Sequence, residues 1–238
     1  MSKLTDFKLL SFDVYGTLID WETGIMEAVQ LLLQKSNKTD LDKRFILRKC
    51  SLLQRPVQKQ NPNMIYSELL TSIYPQLAEE LGCEKPSEEE CKAFGDSVGK
   101  WPAFPDSVSA LHRLHKYYKL VVLSNVDNIS FAASNSGPLQ NVPFDAVLTA
   151  QDIGSYKPNH NNFEYMLREV KQRFGIEKAQ VLQTAQSQFH DHRPAKELGI
   201  TSSWIARYGS TGEDDVFNWK FSSLGEMADA VEKEAGES

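Results

Sequence analysis

The chain has 238 residues, 41% of them hydrophobic and 24% charged, with a net charge of −6. That length accommodates one large domain or a core carrying a smaller one, and the composition is that of a globular protein. The acidic balance gives no electrostatic ground for nucleic acid or an anionic membrane as a partner. No apolar run approaches the roughly 20 residues of a membrane span. The N-terminal MSKLTDFK lacks the apolar core of a secretory signal, so a cytoplasmic location is expected. Three cysteines, Cys50, Cys83 and Cys91, are odd in number and lack zinc-like spacing, which fits reduced thiols.

In chain order, FKLLSF (7–12) is a short apolar run before YGT and reads as a buried strand ending in a turn. From residue 21 to about 100 the pattern turns helical. GIMEAVQLLLQ places Ile25, Ala28, Val29 and Leu32 on one face. DLDKRFILRKCSLL repeats the period, NPN (61–63) ends that helix, and 64–81 supplies another. Ser87 followed by Glu90 is a capping-box signature for a helix through Phe94. Asp106 can cap a helix to about Tyr117, and KLVVLSN is a strand with a polar tip. FDAVLTA (144–150), AQVLQTA (179–185) and ITSSWIA (200–206) read as further strands. Helices over 159–174, up to Leu198 and over 223–235 alternate with them, and 208–218 reads as a surface loop.

Apolar strands alternating with helices predict an α/β fold: a Rossmann-like parallel sheet covered by helices on both faces. The helical block is then an insertion, with residues 1–20 and 101–238 as the core and 21–100 as an α-helical cap. Four polar groups fall just past strands: Asp13, Ser124 with Asn125, Lys157 and Asp191. Each alone has an ordinary explanation as a turn, cap or solvated residue. One parallel sheet, however, delivers all four to the carboxyl edge where open α/β folds bind ligands.

These residues carry a resemblance. DVYGTL, VVLSN, SYKP and a late Asp-containing segment, in that order, resemble the haloacid dehalogenase superfamily of aspartate-nucleophile hydrolases. The Tyr in DVYGT and the YKP tripeptide are similar to the L-2-haloacid dehalogenase (type II) branch. Phosphatases of the superfamily carry a second Asp two residues after the nucleophile, as the acid for an oxyanion leaving group. Tyr15 stands there instead, and a phenol with an ordinary pKa near 10 replaces that acid poorly. A halide needs no proton to leave.

The resemblance therefore implies conversion of a short (S)-2-haloacid to a 2-hydroxy acid through an aspartyl ester on Asp13, with no cofactor and no metal. Lys157 would keep Asp13 ionised, and Thr17 would hydrogen-bond it. Ser124 would grip the substrate carboxylate, Asn125 would face the halide, and Asp191 would orient or deprotonate the hydrolytic water. A homodimer is a further expectation of the same kind.

Two departures stand out. At the last motif, where the dehalogenases carry Ser-x-Asn-x-aromatic-Asp, AQSQFHDH keeps Asp191 but has Gln186, Gln188 and His190 in the other places; Gln188 can still reach water or Lys157. His190 and His192 flank Asp191, for which a local acid–base or loop-anchoring role is expected rather than metal binding. The cap arginine that receives halide is assigned to Arg48, with Arg44 and Arg55 as competitors, and Tyr66, Trp21 and Phe163 are candidate walls. The alternatives are a Mg²⁺-dependent phosphatase or ester hydrolase of a small acid, and a non-catalytic binding protein on the same scaffold.

Overall fold

The structure is a computed structural model that describes residues 2–61, 64–213 and 215–236. Six parallel strands form one sheet in the order β3-β2-β1-β4-β5-β6. They are β1 (Leu9–Phe12), β2 (Lys119–Ser124), β3 (Ala146–Thr149), β4 (Val181–Ala185), β5 (Thr201–Ile205) and β6 (Trp219–Phe221). Every residue of β1 and β4 is buried, as strands covered on both faces require. Chain order runs outward from β1 to β3, then returns to β4 on β1's other side. Asp13 thus leaves the sheet at its topological switch point. The α/β class and parallel sheet are as expected from the sequence.

Between β1 and β2 the chain makes α1 (Trp21–Lys35), α2 (Lys43–Gln60), α3 (Tyr66–Glu80), α4 (Glu88–Asp96) and α5 (Ser107–Leu114). Helices α6 (Asn128–Ser136), α7 (Ala150–Ile153), α8 (His160–Phe174), α9 (Arg193–Glu197) and α10 (Leu224–Ala235) complete the layers. The Ser87 capping box forms: its hydroxyl accepts the Glu90 N–H at 3.2 Å and the Glu90 carboxylate accepts the Ser87 N–H at 2.8 Å. Helix α2 stops at Gln60 with Asn61 beyond it; Pro62 and Asn63 of the expected NPN stop lie outside the described residues. No helix among the described residues is long and apolar enough to cross a membrane.

Several expectations are corrected. Asp106 sits at the start of α5 without capping it, because its carboxylate accepts from Arg207 at 2.7 Å and from the Gly225 N–H at 3.0 Å. Helix α6 and short α7 were not foreseen. NISFAASNS is poor in strong helix formers. Instead Asp127 caps α6, and Gly99, with no side chain, lets that helix approach: a Cβ there would lie 2.5 Å from Ala133. The three-residue edge strand β6 was also missed, being too short to show a period. Phe163, a candidate pocket wall, is buried among Leu9, Val121 and Leu148 in the core on one face of the sheet.

One carboxylate joins the helical block to the sheet. Helix α3 starts at Ile65, which has no side-chain cap to offer. Asp127, 1% exposed, accepts the Ser67 N–H at 3.3 Å while also accepting the Ser130 N–H at 2.8 Å and hydroxyl at 2.9 Å. It therefore satisfies orphan donors of two helices at once. Asp127→Ala is expected to lower the unfolding free energy by about 1–3 kcal/mol, the loss of a cap plus unpaired buried donors. Urea unfolding followed by circular dichroism checks this, and an unchanged midpoint would contradict it.

Candidate active site

The turn after β1 is built around the Val14 carbonyl, which accepts N–H groups from Thr17, Leu18 and Ile19 at 3.2, 2.7 and 2.9 Å. Gly16 holds φ +99°, a left-handed conformation that favours glycine. The turn folds Thr17 back so that its hydroxyl donates to Asp13 Oδ2 at 2.8 Å. The same hydroxyl accepts the Gln186 N–H at 2.9 Å, joining the ends of β1 and β4. Arg207 braces the turn from β5: its Nε donates to the Thr17 carbonyl at 3.0 Å and its guanidinium lies 4.1 Å from the Phe104 ring centroid.

Lys157 follows β3 and α7, and its side chain passes over the sheet edge to the centre. Nζ donates to Asp13 Oδ1 at 2.9 Å, Asp191 Oδ1 at 2.7 Å and the Leu123 carbonyl at 2.8 Å. Its three donors are all used. Burial works against its positive charge, but the two carboxylates outweigh burial and raise its pKa. Asn125 fixes this segment, accepting the Lys157 N–H at 2.7 Å and donating to the Lys157 carbonyl at 3.0 Å. Asn125 thus holds the Lys157 backbone and also lines the cleft, where it was expected to face halide.

Asp191 is fully buried in a π-helical turn, Gln188–His192, after β4. Burial pushes its carboxyl up, against the pull of the Lys157 ammonium. Gln183, inside β4, donates to Asp191 Oδ1 at 2.9 Å, whereas Oδ2 has no partner. Gln183 was missed by sequence reasoning. A glutamine within the apolar run AQVLQTA was the available signal.

A cleft of about 870 Å³ lies over these groups, lined by Asp13, Tyr15, Ser124, Asn125, Lys157 and His190 among others. The Ser124 hydroxyl is buried and unpartnered. Tyr15 forms a wall: its hydroxyl is 2.8 Å from Ser134 Oγ and its ring meets Trp101 edge-on at 5.7 Å. Burial raises its pKa far above the usual value, so the phenol stays neutral. Trp21 and Tyr66 line the cleft as expected.

Arg48 does not line the cleft; Arg55 does. The two lie seven residues apart on α2, on the same stripe but two turns, about 10 Å, apart along the axis. Arg48 and Arg44 are exposed outside the cleft. Gln188 is also absent from it. Its amide pairs with Glu213, donating to the carbonyl at 3.1 Å and accepting the N–H at 3.0 Å. The π turn explains this, since the extra residue per turn shifts side-chain phase away from that of an α-helix.

The comparisons with known proteins bear on this geometry. A family model described as haloacid dehalogenase-like hydrolase matches residues 7–182. The chain belongs to this family. Among curated relatives, a 134-residue segment of this haloacid dehalogenase-like hydrolase is 28% identical to the (S)-2-haloacid dehalogenase of Pseudomonas sp. (strain YL), covering 56% of this chain and 55% of that protein. A 90-residue segment is 30% identical to the glyceraldehyde 3-phosphate phosphatase of Methanocaldococcus jannaschii, covering 37% and 38% respectively. The chain thus spans 55% of one of these curated relatives and 38% of the other. The L-2-haloacid dehalogenase from Xanthobacter autotrophicus, solved also with chloropropionic acid covalently bound, superposes with a TM-score of 0.76 at 18% identity, covering 94% of this chain and 98% of that one. That likeness is one of fold.

Phosphatases of the superfamily use Mg²⁺, and the side chains here differ from a carboxylate-rich cation site. The position two after Asp13 supplies a neutral phenol committed to Ser134, both Asp13 oxygens are engaged, and an ammonium bridges the two carboxylates. Among the described residues no group of three His, Cys, Asp or Glu side chains could hold a metal.

The two histidines part company. His190 lines the cleft, its Nδ1 3.1 Å from the Ser187 hydroxyl. His192 is fully buried: its Nε2–H donates to the Ala185 carbonyl at 2.9 Å, and Nδ1 can then accept from Ser202 at 2.9 Å. It anchors the turn carrying Asp191. Burial lowers its pKa from 6.5 to about 4. Between these values the unfolded chain binds a proton that the folded chain refuses, so the stabilisation is complete above pH 6.5 and is lost as pH falls toward 4. This linkage is worth as much as about 3 kcal/mol. In urea unfolding at neutral and acid pH, His192→Gln is expected to lose less stability on acidification than the wild type. Equal losses would contradict the assignment.

Proposed function

We propose that this hydrolase is an aspartate-nucleophile enzyme of the 2-haloacid dehalogenase type, acting on an (S)-2-haloacid without a metal, with residues 21–100 as a cap over the cleft. The observation that carries the reading is Tyr15. A half-buried, neutral phenol tied to Ser134 stands where a phosphatase needs an acid, and halide is the leaving group that needs none.

An Asp13 carboxylate oxygen displaces the halide from the α-carbon, forming the C–O bond of an aspartyl ester as the carbon–halogen electron pair departs. Lys157 keeps Asp13 ionised and Thr17 aims it. Ser124, a buried donor with no other partner, holds the substrate carboxylate. Water then attacks the carboxyl carbon of the ester, and the free Oδ2 of Asp191, whose basicity burial has raised, accepts its proton. Cleavage of the acyl C–O bond, with a proton returned to the departing oxygen, restores Asp13 and releases the 2-hydroxy acid. His190 is proposed as part of the substrate wall.

The relationship to a phosphatase supports a second reading, hydrolysis of a small phosphate ester. One assay separates the two. Halide release from 2-bromopropionate and 2-chloropropionate is expected to persist in EDTA and to vanish in Asp13→Asn. Lys157→Met is expected to lower kcat by at least about 100-fold, as loss of a preorganised charge does. Mg²⁺-dependent release of nitrophenol from p-nitrophenyl phosphate, with no halide from either acid, would establish the second reading instead.

A further inference from the structure

Helix α2 is amphipathic in an unusual sense for its place in the fold. One stripe, Ile46, Leu47 and Cys50 with Leu53 and Val57, packs into the core. The other, Ser51, Gln54, Arg55, Gln58 and Lys59, recurs at the i, i+3, i+4, i+7 and i+8 spacing of one helix face and lines the cleft. This stripe lines the cleft, with Ser51, Gln54 and Gln58 half-buried and Arg55 and Lys59 exposed at its mouth.

Two of its members are cations in a chain of net charge −6. Lys43 and Lys49 of the same helix pair with Glu22 and Glu80, but among the described residues neither Arg55 nor Lys59 forms an ion pair. Lys157 cannot serve a substrate anion, since its three donors are spent on Asp13, Asp191 and Leu123. The cleft therefore offers the Ser124 hydroxyl beside the nucleophile and a second, cationic end on α2. Its size agrees: about 870 Å³ lies in the range of sites that enclose drug-sized ligands, well beyond what the six heavy atoms of 2-chloropropionate require. Trp21, Tyr66 and Phe189 line the same cleft with aromatic surface suited to a methylene chain.

We propose that the α2 wall is a binding subsite for a second anionic group, a carboxylate or a phosphate, so that the substrate is a dianionic acid longer than a haloacetate or halopropionate. The inference rests on the reading of Asp13 and Ser124 as the reacting end. Arg55 supplies a planar fork that matches either anion, and Lys59 a point charge beside it.

The test is equilibrium binding, which needs no turnover. Isothermal titration compares succinate, glutarate and adipate with butyrate, valerate and hexanoate, each pair matched in carbon number, and adds 3-phosphonopropionate as the phosphate-like arm. At least one dianion is expected to bind tenfold more tightly than its matched monoanion, and that advantage is expected to collapse in the Arg55→Gln, Lys59→Gln double variant. A carboxylate subsite ranks the dicarboxylates first; a phosphate subsite ranks the phosphonate first. No dianion advantage, or one that the double variant retains, would overturn the proposal. Either result leaves the halide-release assay to judge the chemistry at Asp13 separately.

Discussion

A buried ammonium held between two carboxylates is the constraint around which this molecule is organised. Lys157 is 2% exposed and Asp191 fully buried, and neither charge could stand there alone. Each exists because the other does, with the Leu123 carbonyl and the Gln183 amide completing the shell. The trio and the Leu123 carbonyl draw on four separate pieces of chain: the end of β1, strand β2, the segment after β3 and the turn after β4. Only a parallel sheet that reverses direction at β1 brings those ends to one point. The fold is, in this sense, what the charge cluster requires.

Around that cluster the structure is braced rather than merely packed. Thr17 joins Asp13 to the β4 end through Gln186, Arg207 holds the turn from β5, and Asn125 locks the backbone of Lys157. These contacts fix Asp13, the proposed nucleophile, within hydrogen-bond geometry, which is how preorganised sites lower barriers. The opposite wall is fastened differently. Asp127 caps α6 and reaches across to α3, and Tyr156 donates to the Met64 carbonyl at 2.5 Å. The proposed reacting groups thus belong to the sheet edge, while the proposed charge-sorting groups Arg55 and Lys59 belong to α2, beside the Met64 and Ser67 contacts.

Much of this was legible in the sequence, for reasons that also mark its limits. Asp13, Ser124, Lys157 and Asp191 stood out because polar residues ending apolar strands have few places to go in a parallel sheet. The position of Arg48 shows where periodicity stops. A helical period assigns a face, and Arg48 and Arg55 share that face, but nothing in the period tells how far along the axis the cleft begins. Gln188 was misplaced for a different reason: a π turn alters the phase of every side chain in it, and no residue in QFHDH announces one. Gln183 looked like strand filler because its partner, Asp191, lies eight residues away around that same turn. Helix α6 owes its existence to a cap and to close packing on Gly99, both of which are tertiary facts.

The chemistry proposed for this site requires that Asp13 itself becomes esterified. A single turnover in ¹⁸O-labelled water, with enzyme in excess over 2-bromopropionate and peptide mass spectrometry of the quenched mixture, tests that most directly. One ¹⁸O atom is expected in the Asp13 carboxyl group, with an unlabelled hydroxyl in the lactate formed. Label in the lactate on that first turnover, with Asp13 unlabelled, would mean that water attacks the substrate directly and would contradict that chemistry.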